Sequence, residues 1–410
     1  MGISRAALAC RLQTKGNPMA RFRHSGRSAP HFPGLRLLGG FAATLGLAVG
    51  SGGFGAPPAD TAGKPVRLPA PEGKPIELVA ALPGLLPNGV AVTPTGRIFL
   101  SLPRWAGKPT RGVIELLPDG SYHPFPGGDW HGWRPGTPAD RAFVSVRSIN
   151  ADQDGNLWVV DEGPPATALQ DAEYAGVLPK IVQIDVASGK VTQIYPIDRE
   201  AALPGSNFGH MRADKHFLYL SEPGIGSLIV IDRRTKEVHR RLANAKAAKA
   251  DPAIIPAFAG VPIAPPGKVP QVHLDHIEID AKGEKLFFMS LFGPMLYSVR
   301  IEDLTNWSLP EQELEKRVTA EGPVPPATGL RKDAKGNLYI CSITDFAIMR
   351  RTQKRGWEIV ARDPRIYLPN SPSFGPDGSL YFPVSLLPGI PDIGVKGPSA
   401  IYRIKFGAMR

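Results

Sequence analysis

An all-β fold, a six-bladed β-propeller with four-stranded blades around a central channel, is what this sequence predicts, and three observations predict it. From about residue 77 onward, short aliphatic and aromatic runs alternate with Gly, Pro, Asn and Asp, and helical periodicity is scarce. One phrase keeps returning: a polar start, a half-apolar strand, a turn ending in Gly, then an aliphatic and an aromatic residue. The returns are spaced by about 40 to 70 residues, the period of a repeat whose units stack around an axis.

The units follow in order. NGVAVTPTGRIFL from Asn88 turns at Gly96, and RSINADQDGNLWVV from Arg147 turns at Gly155. NFGHMRADKHFLYL from Asn207 has the same strand, turn and strand, with the turn glycine missing. DHIEIDAKGEKLFF from Asp275, TGLRKDAKGNLYI from Thr328 and NSPSFGPDGSLYF from Asn370 turn at Gly283, Gly336 and Gly378. Each unit is followed by a third strand-like run, as in KIVQIDV and SLIVIDR, and most by a fourth, as in KVTQIYPI and EVHRRLA. ELVAAL, ahead of Asn88, supplies the outer strand of the last blade and closes the ring, which removes an open sheet edge. The proline-rich stretches 252–270 and 307–326 read as long loops between strands.

The net charge of +11 invites a nucleic-acid reading, and its distribution argues against one. Residues 1–56 hold seven basic side chains and no acidic one, so the remaining 354 residues carry only +4. The same segment runs from a basic stretch through LRLLGGFAATLGLAV to small residues at Ser51–Ala56, the order of a secretory signal peptide, with Met19 an alternative start. The organisation expected is a leader over 1–56, a flexible segment over 57–76 and the propeller over 77–410. The mature chain is then secreted or periplasmic, with neither nucleic acid nor, once the leader is removed, membrane as a partner. Cys10 falls in the leader and Cys341 stands alone in LYICSI, so no intramolecular disulfide is expected and the core must supply the stability.

Polar residues at equivalent strand starts converge on the channel of a propeller. Counting eight back from each turn glycine gives Asn88, Arg147, Asp275, Thr328 and Asn370; the third unit gives Asn207, where a one-residue slip would flip the side chain to the other face. A carboxylate, two amides and a hydroxyl are hard oxygen donors able to hold a cation or a small polar ligand, and Arg147 argues against a bare cation. The same residue types also satisfy turn backbones. His210, His273 and His276 lie near these starts and could serve acid–base chemistry, although His273 and His276 are three apart and point to opposite faces of a regular strand. Asp161, Glu162 and Glu222 follow second strands and could do acid–base work or cap turns. Serine-hydrolase, zinc-protease and nucleotide-binding motifs are absent from the sequence.

The wording of SLPRWAGKPTRGVIEL from Ser101, FVSVRSINADQDGNLWVVDEG from Phe143, PKIVQIDVASGKVTQIYPI from Pro179 and GNLYICSITDFAIMRR from Gly336 resembles the major royal jelly protein/Yellow family, over roughly Leu86 to Leu387. Pro103-Arg104-Trp105 and Asn150-Ala151-Asp152 to Trp158 carry most of the likeness. The resemblance implies a secreted six-bladed propeller with its ligand site at the channel mouth. Functions in that family range from dopachrome conversion to binding of biogenic amines. The chain lacks the cysteines of the insect pattern and looks like a bacterial offshoot, whose substrate need not be a catecholamine. The expectation is binding of a small polar or aromatic molecule by Asn88, Arg147, Asn207, Asp275, Thr328 and Asn370, with no cofactor. Isomerase- or tautomerase-like chemistry stays open, with Arg147, Asp275 and His276 as catalytic candidates. A likeness to the gluconolactonase/regucalcin propellers implies an alternative, a lactonase holding calcium or another divalent metal through Asn88, Asp275 and Asn370, although a glutamate start is missing. A non-enzymatic binding or scaffold propeller is the third reading.

Overall fold

The computed structural model describes residues 67–104, 112–164, 171–265, 267–352, 356–387, 393–395 and 397–406. The leader, with Cys10 and Met19, lies outside the described residues, as does Trp105. Six four-stranded antiparallel sheets follow one another along the chain, the predicted six-bladed propeller. The first blade is Gly89–Val92, Ile98–Leu102, Gly112–Leu116 and Tyr122–Pro124; the second is Val146–Ala151, Asn156–Asp161, Lys180–Asp185 and Lys190–Pro196. The third is Met211–Ala213, Phe217–Glu222, Ser227–Asp232 and Val238–Arg241, and the fourth Leu274–Ile279, Lys285–Ser290, Met295–Arg300 and Thr319–Pro323. The fifth is Ala327–Lys332, Leu338–Ser342, Ala347–Arg351 and Trp357–Arg362.

Ring closure follows the sequence reading. The sixth blade is built from Ser373–Phe374, Leu380–Val384 and Ser399–Ile404, and Glu77–Leu82 pairs with Ser399–Ile404 as its outer strand. One pairing was not legible in the pattern: Glu72–Gly73 adds a fifth strand to the outer edge of the fifth blade, against Ala361 and Arg362. The two proline-rich stretches also hold more than loop. A hairpin of Ala257–Phe258 and Val261–Pro262 sits in the first, and helix Glu311–Lys316 and the fourth-blade strand Thr319–Pro323 sit in the second.

The repeated phrase has a physical cause at the turn between first and second strands. Asp152 accepts hydrogen bonds from the backbone N–H groups of Asp154 and Asn156 and from the indole of Trp158, at 3.0, 2.8 and 2.8 Å. Asp333 does the same for Lys335, Asn337 and the Tyr339 hydroxyl, and Asp377 for Ser379 and the Tyr381 hydroxyl. An aspartate thus closes the turn and ties it to an aromatic side chain two or more residues into the next strand. Gly155, Gly283, Gly336 and Gly378 all have positive φ, which such a turn requires and a side chain resists. In the third blade Asp214 caps His216 and Phe217 and takes the Tyr219 hydroxyl at 2.6 Å, with no glycine. Its N–H reaches the carbonyl of Phe217, three residues on, whereas that of Asp152 reaches Asn156, four on. The turn is one residue shorter, and that is why the glycine is missing.

The second and third strands of the blades carry the core. Leu157–Val160, Leu218–Leu220 and Leu228–Ile231 are fully buried, and Trp158, Phe99, Phe288 and Phe382 fill the layers between blades. At about 1.5–3 kcal/mol for each such side chain, burial on this scale holds the ring together without any disulfide. Cys341 belongs to this core, and burial pushes its thiol well above the ordinary range, as befits an inert side chain. Among the described residues no helix is long and apolar enough to cross a membrane.

Candidate functional site

Five of the six residues picked out as strand starts line one cavity: Asn88, Arg147, Asp275, Thr328 and Asn370. They come from five different blades. The cavity holds about 80 Å³ of free space, against roughly 10–15 Å³ for a single water, so it has room for a small organic group. Phe258, Ile263, Leu291, Phe292, Ile343 and Leu368 line the same cavity. Phe258 and Ile263 come from the hairpin segment, which is braced by an edge-on contact of Phe258 with Tyr367 at 5.5 Å.

Backbone bulges aim these side chains. In the second blade the ladder passes from Val146–Asp161 to Ser148–Val160, so Arg147 is an extra, unpaired residue. The fourth blade skips Asp275 between Leu274 and His276, and the fifth skips Thr328 and Gly329 between Ala327 and Leu330. A bulge breaks strict alternation and re-aims a side chain. Asn207, the sixth candidate, does not line the cavity. It is buried, its N–H donating to Glu222, while Gly209 takes the ring position, five before Asp214 as Arg147 is five before Asp152. Without a turn glycine to count from, the start chosen in the sequence falls two residues short of the ring position. A Cβ on Gly209 would stand 2.6 Å from both Asp275 Oδ1 and Ser221 Oγ, so this blade yields its place to Asp275.

The polar members differ in how far they are already engaged. Asn88 donates to the Arg147 carbonyl at 2.7 Å, and its own Oδ1 accepts from Asn370 Nδ2 at 2.7 Å. Asn370 Oδ1 accepts from the N–H and the hydroxyl of Ser371. The Thr328 hydroxyl donates to the Pro369 carbonyl. Two groups remain open: Arg147 Nε and Asp275 Oδ1 are buried with no hydrogen-bond partner among the described residues. Both amide oxygens already accept hydrogen bonds, which leaves Asp275 as the member of the Asn88, Asp275 and Asn370 set whose carboxylate is open to a cation.

A second, tighter crevice is lined by His210, His276, Arg212 and Arg331. The rings of His210 and His276 lie 4.5 Å apart, and Asp275 Oδ2 is 3.3 Å from His276 Nε2. Burial holds both imidazoles below their ordinary range; for His210 the neighbouring His276 adds to this, and for His276 Asp275 opposes it. His273 is elsewhere, accepting from the Ala250 N–H and pushed down to about 4 by burial, with Lys249 adding to it. Glu278 carries the charge balance of the crevice: burial opposes its ionisation, but Arg212, Arg331 and Lys332 hold it down to about 2.

The carboxylates behind the ring fall into two kinds. Asp161 accepts from the N–H groups of Val144, Ser145 and Gly163 and pairs with Lys180 at 2.6 Å, a buried brace. Glu222 likewise accepts from Asn207 and Ile225 and pairs with Arg240 at 3.0 Å. Glu162 is different. Burial raises its carboxyl to about 7, against the pull of Arg147 and a hydrogen bond from Ser145 at 2.8 Å. In the sequence Glu162 reads equally as an acid–base group or a turn cap, because its contact with Ser145 across the same blade leaves no motif.

Comparison with known proteins adds the following. The family model of the major royal jelly proteins matches residues 144–366, from the second blade through the fifth. No curated protein matches the chain in sequence. Among solved structures, regucalcin from Agrobacterium tumefaciens, a calcium-binding protein, is similar at 14% identity, covering 81% of this chain and 94% of its own, with a TM-score of 0.49. A gluconolactonase from Xanthomonas campestris is similar at 10% identity over 83% of this chain and 98% of its own, TM-score 0.45. Virginiamycin B lyase from Staphylococcus aureus is similar at 13% identity over 81% and 99%, TM-score 0.45.

Proposed function

The chain belongs to the major royal jelly protein family, and from that premise we propose that it binds a small organic molecule with a polar head and an apolar body at the channel mouth. One observation carries the reading: five polar residues from five blades meet in a single cavity whose remaining lining is largely apolar. Arg147 supplies the charged contact. Its unpartnered Nε and planar fork suit a carboxylate or the face of an aromatic ring. Phe258, Leu291, Phe292 and Leu368 take the body of the ligand.

Lactone hydrolysis through calcium fits less well, since Asn88 and Asn370 already spend their oxygens on each other and on Ser371. Isomerase-like chemistry draws support from Glu162, whose carboxyl titrates near neutrality within reach of the charge on Arg147. Export draws support from the basic leader and its apolar run.

Thermal-shift and calorimetric titration with indole-3-acetate, tryptamine and glucono-lactone, each with and without calcium, tests the proposal. Indole-3-acetate should bind, and Arg147→Ala should weaken it by about 1.5–3 kcal/mol, the worth of a charge-assisted hydrogen bond. Binding of the lactone only in the presence of calcium, indifferent to Arg147→Ala, would favour the lactonase. A chain silent to every probe would favour the scaffold.

A further inference from the structure

We infer that His210, Asp275 and His276 form a binding site for a divalent first-row transition-metal ion, of the zinc, iron or manganese class, at the floor of the mouth cavity. One donor atom from each of the three lies within 4.8 Å of the others, and all three side chains are buried. Three donors sharing one ion at ~2.1 Å stand about 3.4–3.6 Å apart, so the cluster closes on an ion with side-chain shifts of about an ångström.

Two further observations point to a ligand there. Asp275 Oδ1 and His276 Nε2 are buried without a hydrogen-bond partner among the described residues, a costly state for polar atoms that an ion would relieve. The fourth-blade bulge also brings Asp275 and His276, neighbours in sequence, to the same side, which a regular strand forbids. Ser371 Oγ, 3.3 Å from His210 Nδ1, steadies that ring as outer partners of metal-bound histidines do.

Two imidazoles and one carboxylate are donors for a borderline ion and poor ones for calcium, which prefers oxygen. Arg147 and Arg212 bring positive charge to the neighbourhood. Glu278, 3.1 Å from Arg212, offsets part of it. Asp275 also lines the mouth cavity, so coordination positions left by the three side chains would face the space where a ligand sits.

The inference stands apart from the organic-ligand reading, since metal uptake needs neither Arg147 nor the apolar wall. The test is elemental analysis of the full chain after loading with zinc, manganese, calcium or, anaerobically, iron(II), followed by dialysis, together with the visible spectrum of the cobalt(II)-loaded protein. About one equivalent of a first-row ion should be retained, with cobalt bands that shift in His210→Ala and His276→Ala and not in His273→Ala. Affinity should fall at least about tenfold in the first two. Retention of no first-row ion by the unaltered protein, of calcium alone, or of a first-row ion unaffected by both substitutions overturns the inference. The unaltered chain decides the first two outcomes even if a variant fails to fold.

Discussion

At the scale of single residues, Glu162 is the group whose state responds most directly to pH. Its carboxyl lies fully within the protein beside Ser145, and burial lifts it from the usual carboxylate range to about 7. A raised value means that the folded state favours the neutral acid. The stability this confers is complete below about pH 4.5, where the unfolded chain is protonated too, and is lost as pH rises towards and through 7. The loss amounts to about 3 kcal/mol, the shift expressed as free energy. Glu162→Gln, neutral throughout, should remove that decline. Urea denaturation of both proteins at pH 4.5, 6 and 8 checks it, and parallel pH profiles would mean that Glu162 is ionised in the folded protein.

At the scale of elements, the turn aspartates explain why the sequence repeats at all. Each fixes a turn, and the turn fixes where the first strand of its blade begins; for Asp152, Asp280 and Asp333 this sets the depth of the cavity residue five positions earlier, Arg147, Asp275 and Thr328. The braces are not equal. Asp152 holds the indole of the fully buried Trp158 as well as two backbone N–H groups, whereas Asp280 holds only the backbone of Glu284 and Lys285. Leaving a buried donor without an acceptor costs about 1–3 kcal/mol, and an exposed turn bond about 1. Asp152→Ala should therefore destabilise by about 2–4 kcal/mol and Asp280→Ala by about 1, read from denaturation midpoints. Equal costs would show that the turn alone matters and the aromatic tie does not. The one misplaced position lies in the third blade, whose turn around Asp214 is shorter and has no glycine, so nothing in the sequence anchors the count that gives Asn207 where the ring has Gly209.

At the scale of the whole molecule, the distribution of charge separates the leader from the propeller. Seven positive charges fall within residues 1–56 and only +4 remains over the other 354, so the excess sits in the N-terminal segment and not in the blades, which motivates the prediction of export. Expressed with its leader in a bacterial host, the chain should be found outside the cytoplasm, with its N-terminus near residue 56 by terminal sequencing. A soluble cytoplasmic product beginning at residue 1 or 19 would overturn this.

The order and spacing of residues along the chain specify the ring and most of its polar lining. Turn chemistry and strand alternation are local, so the six units, the closure by ELVAAL and the convergence of Asn88, Arg147, Asp275, Thr328 and Asn370 could be read from spacing alone. The family likeness was legible in Asn150-Ala151-Asp152 to Trp158 for the same reason, since these residues build one blade's turn. Only the tertiary structure decided how the lining is aimed and with what it is combined. Bulges at Arg147, Asp275 and Thr328 leave no mark in a pattern of period two, and they alone bring Asp275 and His276 together. The pairing of His276 with His210, the near-neutral carboxyl of Glu162 and the apolar wall from Phe258 to Leu368 join residues far apart in the chain. Such contacts arise from packing of one blade on another, and burial, which sets both the charge state and the cost of an unpaired atom, is a property of the closed ring.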